Sequence, residues 1–317
     1  MQVTTLKRDV ILSFILAFLL TSCGIGVKRS AETKEINSEV YSFDLQGHRG
    51  CRGLFPENSI AAFKKALDLG VNTMELDLAV SKDSLLVVSH EPWFSAAICT
   101  DSLGNNIPEE EEKNYNIHQH TYEEIGKYDC GSKGNPRFPE QNKMKQTKPL
   151  LDSAITFIET YIKENNLPEV DYNIEIKSDK AGDNLYHPSP EVYSDLVYNF
   201  LEQSGIAPER VTIQSFDLRV LKYWNEHYAS KYKNAFLVAN KNTFEENIAE
   251  LGFRPAIYSP AYQMLDSTSV DKIHSENMLV IPWTVNEQIE MQKLLAWGVD
   301  GIITDYPDRA LAFKEVQ

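Results

Sequence analysis

Thr73-Met74-Glu75-Leu76-Asp77-Leu78-Ala79-Val80, then Ser81-Lys82-Asp83-Ser84, then Leu85-Leu86-Val87-Val88-Ser89-His90, is the stretch on which the fold turns. The apolar, alternating runs at 73–78 and 85–90 read as strands. The residues between them are too few for a crossover helix, so the two runs pair as an antiparallel hairpin. A turn centred on Lys82 and Asp83 sets His90 across from Glu75. Discounting 85–90 leaves eight strand candidates: 44–48, 73–78, 172–176, 211–215, 235–238, 256–259, 279–285 and 301–304. Helical patterns fall between them, at 59–69, 151–165, 191–203, 218–227, 243–251 and 287–297. Eight βα units in about 275 residues match an α/β fold of the (β/α)8 barrel type. An open doubly wound sheet is disfavoured because no glycine-rich phosphate loop is present. Residues 91–148 have weak periodicity and read as an insertion in the second βα connection.

The 317-residue chain is 42% hydrophobic and 24% charged, which excludes collagen, a disordered tail and a multispan membrane protein. Lys and Arg number 31 against 46 Asp and Glu, a net charge of −15. That balance disfavours nucleic acid as a partner, and any anionic substrate needs local positive charge or a metal.

At the N-terminus, Lys7 and Arg8 precede an apolar run at 10–20 that is too short to span a bilayer. Leu20-Thr21-Ser22-Cys23 follows, and resembles the lipobox of bacterial lipoproteins, in which cleavage precedes an acylated cysteine. The expected organisation is a signal peptide at 1–22, a polar tether at 23–42 that begins with lipidated Cys23, and the barrel at 43–317. The protein would be exported and lipid-anchored to a bacterial membrane, facing periplasm or cell exterior, with the anchor as its only membrane contact. The bland alternatives are an ordinary secretory signal or a buried helix. Cys51, Cys99 and Cys130 remain, an odd count that leaves a thiol unpaired. Cys99 and Cys130 bracket a polar stretch that a bridge between them would staple; the alternative is three buried thiols.

Several polar groups stand at strand ends, which in a barrel form the active-site mouth. Gly47-His48-Arg49-Gly50 is followed by Pro56-Glu57-Asn58-Ser59, where Asn58 or Ser59 is a natural helix cap. Glu75 and Asp77 share one face of their strand, and two inward carboxylates repel unless a cation joins them. Glu175 and Lys177 repeat the alternation. Glu75, Asp77 and Glu175 offer hard oxygen ligands without a thiolate, which suits Mg²⁺ or Ca²⁺. His118 and His120 lack a nearby third ligand. His187, His227 and His274 read as surface or helix residues.

Together these residues resemble the glycerophosphodiester phosphodiesterase family. The chain shows His-Arg-Gly at 48–50, Pro-Glu-Asn at 56–58, Glu-x-Asp at 75–77, Ser-His at 89–90 and Glu-x-Lys at 175–177. Gln-Ser-Phe follows at 214–216, Trp-Thr-Val-Asn at 283–286, and Asp-Gly-Ile-Ile-Thr-Asp-Tyr-Pro at 300–307. The resemblance implies a TIM barrel with one divalent cation that converts a glycerophosphodiester to glycerol 3-phosphate and an alcohol. It casts His48 and His90 as acid/base catalysts and Glu75, Asp77 and Glu175 as metal ligands. Arg49 and Lys177 become phosphate contacts, Trp283 lines a glycerol pocket, and Glu57 sits near the metal or Arg49. The chain departs from the family at Glu91-Pro92-Trp93, where Asp usually follows the second histidine, and it lacks the ensuing Arg-Thr-Thr. These departures bear on the leaving-group side.

The chemistry suits these residue types. A cation with Arg49 and Lys177 neutralises a phosphodiester anion, and imidazole transfers protons near neutral pH. The resemblance further implies the glycerol 2-hydroxyl as internal nucleophile. Other readings are a phospholipase D-like headgroup hydrolase, which requires an apolar rim, and a non-catalytic glycerophosphate-binding barrel, which loss of a histidine or a carboxylate would have favoured.

Overall fold

The computed structural model describes residues 43–314. The expected signal peptide, Cys23 and the whole of the expected tether lie outside the described residues. Strand β1 (Asp44–Gly47) leads to helix α1 (Ile60–Asp68), β2 (Thr73–Val80) and β3 (Leu86–Val88). After the short helix α2 (Tyr122–Ile125) come α3 (Leu151–Asn165), β4 (Asp171–Ile176), α4 (Pro190–Ser204), β5 (Val211–Ser215) and α5 (Leu218–His227). The chain then runs β6 (Lys233–Val238), α6 (Phe244–Leu251), β7 (Ile257–Pro260), α7 (Ser267–Ser275), β8 (Leu279–Val280), α8 (Gln288–Ala296), β9 (Gly301–Thr304) and α9 (Pro307–Lys314).

Eight strands are parallel, in the order β8-β7-β6-β5-β4-β2-β1-β9, and β3 pairs antiparallel with β2. Across the remaining gap Asp300 N donates to Val280 O (3.0 Å) and Val285 N to Ile303 O (2.9 Å), bringing the two ends together. This is the expected (β/α)8 barrel. Strand β8 stops at Val280, short of the expected 285, because Pro282 has no N–H to give a ladder. The hairpin register also differs from expectation. Leu78 faces Val88 and Val80 faces Leu86, one residue away from the register that put His90 opposite Glu75. Ser81 N donates to Leu85 O (3.0 Å) and Ser84 takes φ 61°, so the loop holds three residues, Lys82 to Ser84. A left-handed residue closing a three-residue loop is the usual alternative to a two-residue turn. His90 instead lies beyond the strand, and it is the polypeptide after Val88 that carries it to the mouth.

Two buried clusters fill the space between barrel and helices: one around Phe63, Tyr172, Tyr193 and Trp224, the other around Phe236, Tyr258, Met291 and Ile302. The barrel interior is asymmetric. Ala235, Ile257, Ile281 and Ile303 make one side apolar. On the other, Asn173 Nδ2 donates to Gln46 Oε1 (2.7 Å) and Gln214 Oε1 (3.0 Å), and Gln214 Nε2 donates to Glu75 Oε1 (2.8 Å). That polar half underlies the carboxylates described below.

The insertion has a small core of its own, in which Phe94, Ile98, Cys99, Ile117, Ile125, Tyr128 and Cys130 pack against Ala79 and Val87 of the hairpin. Phe94 and Tyr128 stack with ring centroids 3.7 Å apart. A disulfide joins Cys99 to Cys130. Cys51 is the free cysteine among the described residues, buried against α1 with Sγ donating to Ala62 O (3.3 Å), and burial pushes its thiol up to about 12. Such a thiol is inert at neutral pH.

Candidate active site

The loop after β1 is shaped by glycine. A Cβ on Gly47 would collide with Gly50 O, and Gly50 itself takes φ +83° against Ala62 of α1. Between them Arg49 adopts φ 50°, which turns its backbone N–H onto Glu75 Oε2 (2.7 Å). His48 points into the mouth, its Nε2 4.0 Å from the same Glu75 oxygen. Its Nδ1 lies 2.6 Å from Asp305 Oδ1. Arg52 donates to both Asp305 oxygens (2.8 and 3.1 Å) and Asn286 Nδ2 to one (2.8 Å). Burial pushes the Asp305 carboxyl up, but His48 and Arg52 hold it well below the usual carboxylate range. An ionised carboxylate only accepts, so the bridging proton belongs to His48 Nδ1. Burial, then the Arg52 charge, brings His48 down to about 4, leaving the imidazole neutral at pH 7 with Nε2 as its lone-pair nitrogen.

Glu75, Asp77 and Glu175 converge at the C-terminal ends of β2 and β4, where Asp77 lies in register with Glu175. One oxygen from each lies within 4.8 Å of the others, and all three residues are buried. Burial and then the Asp77 charge push Glu75 well up; burial likewise raises Glu175. Asp77 is held well below the usual range because Lys177 and Arg49 outweigh its burial. Lys177 Nζ contacts Glu175 Oε1 (2.9 Å) and stands 3.5 Å from Asp77 Oδ1. Asp77 Oδ1 is buried without a hydrogen bond. Three hard oxygens crowded in low dielectric, one of them orphaned, are what a divalent cation satisfies, so the donor set fits Mg²⁺ or Ca²⁺.

Arg49 spans the site, with Nη1 on Glu57 Oε1 (2.6 Å) and Nε 3.3 Å from Asp77 Oδ2. Glu57 thus partners Arg49. The expected cap divides into two jobs: Ser59 Oγ accepts from Ala62 N (3.2 Å), while Asn58 Nδ2 donates to Asp77 Oδ2 (2.8 Å). His90 lines the same cavity, and its Nδ1 meets Glu91 Oε1 at 2.7 Å. Burial opposes ionisation of Glu91, but the His90 hydrogen bond and charge bring it down to about 2. Buried Lys148 donates to Ser89 Oγ (2.8 Å), which donates to Glu91 O (2.6 Å), fixing the turn that bears His90. Trp283 Nε1 donates to Ser259 O (2.8 Å), and its ring meets Phe216 edge-on at 5.3 Å to form an apolar wall.

The enclosed space is about 230 Å³. A larger hollow of about 610 Å³ lies beside Phe43 and Asp300, but among the described residues only Glu75, Asp77 and Glu175 have ion-holding geometry. Chemistry rather than size picks the site. His118 and His120 are occupied by Val80 O (3.0 Å) and Asn116 O (2.7 Å). His187 is not the expected surface residue. It is buried, accepting from Asp179 N (3.1 Å) and bonded to Pro188 O (2.8 Å).

Asp305, Arg52, Asn286, Gln214, Lys148 and Arg137 are site residues that the sequence alone leaves without a role. Gln214, Asn286 and Asp305 stand inside the motifs at 214–216, 283–286 and 300–307, so their signal is present. Lys148 and Arg137 lie in the aperiodic insertion, where nothing marks them.

The model of the glycerophosphoryl diester phosphodiesterase family matches residues 48–309. A glycerophosphodiester phosphodiesterase of Bacillus subtilis is 28% identical, covering 82% of this chain and 83% of that protein. A crystal structure of a Silicibacter pomeroyi protein carrying the same family designation is 25% identical with a TM-score of 0.75, covering 86% of this chain and 93% of that one. An Oleispira antarctica phosphodiesterase solved with the product sn-glycerol 3-phosphate superposes with a TM-score of 0.67 at 20% identity, covering 88% and 98%.

Proposed function

Because the chain belongs to the glycerophosphoryl diester phosphodiesterase family, we propose that it hydrolyses glycerophosphodiesters to sn-glycerol 3-phosphate and an alcohol by two-histidine acid/base catalysis. The observation that carries the reading is the pairing of each histidine Nδ1 with a carboxylate at the wall of one cavity, onto which Glu75 and Glu175 of the three convergent carboxylates also open. Glu75, Asp77 and Glu175 would hold one divalent cation, Mg²⁺ or Ca²⁺, which when bound supplies positive charge to the phosphate. Arg49 and Lys177 draw the same anion. Trp283 and Phe216 shelter the glycerol carbons. One histidine accepts the proton of the glycerol 2-hydroxyl as its oxygen attacks phosphorus, and the other protonates the departing alkoxide. The P–O bond to the alcohol breaks and a cyclic phosphate forms. Water then opens the ring with the two roles reversed.

Release of glycerol 3-phosphate from glycerophosphocholine, glycerophosphoethanolamine, glycerophosphoglycerol and intact phospholipid, with and without chelator, tests the reading. Activity confined to the intact lipid, or undiminished after chelation, would refute it. A diester lacking the glycerol 2-hydroxyl should bind yet resist cleavage; rapid hydrolysis would mean direct attack by water. The lipobox-like segment before Cys23 supports a lipid anchor that holds the enzyme at an exported membrane face.

A further inference from the structure

The segment between Cys130 and Pro149 is clasped along its length. Cys130 is tied to Cys99, and Val88 N donates to Pro149 O (2.8 Å). Between these ends Gln141 Nε2 donates to Arg52 O (2.7 Å) and Phe55 O (3.1 Å), and Asn142 N donates to Leu54 O (2.8 Å). Phe138 is buried under the Arg52 guanidinium, 4.8 Å from its ring centroid, and meets Tyr306 edge-on at 6.3 Å. The segment is therefore fixed onto the loop that bears His48 and Arg49, and it delivers Arg137 to the wall of the catalytic cavity.

Four Lys and Arg side chains line that cavity, and three are matched by carboxylates. Arg49 is paired with Glu57, Arg52 with Asp305 and Lys177 with Glu175. Arg137 has no carboxylate within ion-pair distance among the described residues, and its guanidinium stands 5.7 Å from the Phe138 ring. It is exposed, at the rim rather than the floor. A chain of net charge −15 has carboxylates to spare, yet none covers this cation.

We propose that Arg137 sets substrate preference by receiving an anion carried on the leaving alcohol, a carboxylate or a phosphate monoester. The inference rests on the phosphodiesterase reading above. Arg49 and Lys177 at the floor already serve the reacting phosphate, and Phe216 with Trp283 walls off the glycerol. Arg137 meets what projects past them toward solvent. A choline headgroup, cationic and without an anion of its own, gains nothing there.

Two matched pairs of substrates isolate the effect. Glycerophosphoserine differs from glycerophosphoethanolamine by one carboxylate, and glycerophosphoinositol 4-phosphate differs from glycerophosphoinositol by one phosphate. In wild-type protein kcat/KM should be roughly three- to fivefold higher for the anionic member of at least one pair, the worth of an exposed ion pair. Which pair responds tells carboxylate from phosphate. Raising the salt concentration should flatten the ratio. Arg137→Gln should bring it near one, while Arg137→Lys keeps most of it. Wild-type ratios of one in both pairs would overturn the inference while leaving the phosphodiesterase reading intact. So would Arg137→Gln losing activity equally on all four substrates, since Arg137 would then serve the reacting phosphate. Cleavage of none of the four would overturn the phosphodiesterase reading itself, and this inference with it.

Discussion

Asp305 is nearly inaccessible to solvent, and its two oxygens take hydrogen bonds from His48, Arg52 and Asn286. Asp305→Asn keeps the shape but lets an amide present N–H to His48 Nδ1, favouring the wrong tautomer and leaving Arg52 unpaired. We expect kcat to fall about 10²- to 10⁴-fold and unfolding to become easier by about 3–5 kcal/mol, the cost of breaking a buried ion pair. Steady-state kinetics with thermal denaturation checks both; unchanged kcat would strip Asp305 of its orienting role. His48→Ala and His90→Ala should each lower kcat by roughly 10²- to 10⁴-fold, with the double variant losing much less than the product of the two. Calorimetric titration with Mg²⁺ or Ca²⁺ should show metal affinity near normal in both. Residues on periodic strands were legible beforehand: alternation alone puts Glu75 with Asp77 on one face of β2 and Glu175 with Lys177 on one face of β4. Asp305 was harder, because its partner His48 lies 257 positions away and no local pattern encodes that encounter.

At the level of elements, strand and helix positions could be read because apolar period marks both, and the hairpin because its loop is short. Its register could not, since a one-residue change in loop geometry is silent in the pattern. Apart from the Cys99–Cys130 staple, the interior of the insertion was equally closed to reading. It is held by a disulfide, short 3₁₀ turns and hydrogen bonds to distant loops rather than by a periodic face. Closing a loop of this size by a disulfide is worth about 3–4 kcal/mol through the unfolded chain. Cys130→Ala should therefore lower the unfolding free energy by about that amount, and because the segment it anchors ends in Lys148, activity should fall as well. Lys148→Met separates the two effects: it preserves much of the side-chain volume but releases Ser89, and should lower kcat through the His90 turn. Chemical denaturation and kinetics on the two variants check this; wild-type kcat in Lys148→Met would leave the lysine a packing residue.

Across the whole molecule, the acidic centre ties stability to cation and pH together. Burial and neighbouring carboxylate charge raise Glu75 and Glu175 in the cation-free protein. A carboxyl raised on folding favours the fold while protonated, and that contribution is lost as pH climbs through its folded pKa. A cation, which needs both ionised, binds better as pH rises. The gain in stability on adding Mg²⁺ or Ca²⁺, read as a rise in Tm, should therefore grow as pH rises above the usual carboxylate range, and a free cation concentration a hundredfold above Kd is worth about 2.7 kcal/mol. His48, lowered to about 4, acts in the other direction, its contribution being lost as pH falls below 6.5. Comparing samples with and without cation isolates the carboxylates; a gain that is constant or larger at acid pH would contradict the assignment. At the same scale, Cys23→Ser should leave the protein in the soluble fraction or unprocessed, and unchanged membrane fractionation would remove the anchor. The His48–Asp305 pair has a further meaning in time. A ribosome adding about 5–20 residues per second takes tens of seconds to travel from one to the other. Throughout that interval the nascent chain carries a histidine without its carboxylate and a barrel without its closing strand. A chain released before residue 305 lacks the carboxylate that orients His48, so synthesis itself keeps the chemistry waiting until the closing strand and Asp305 have been made.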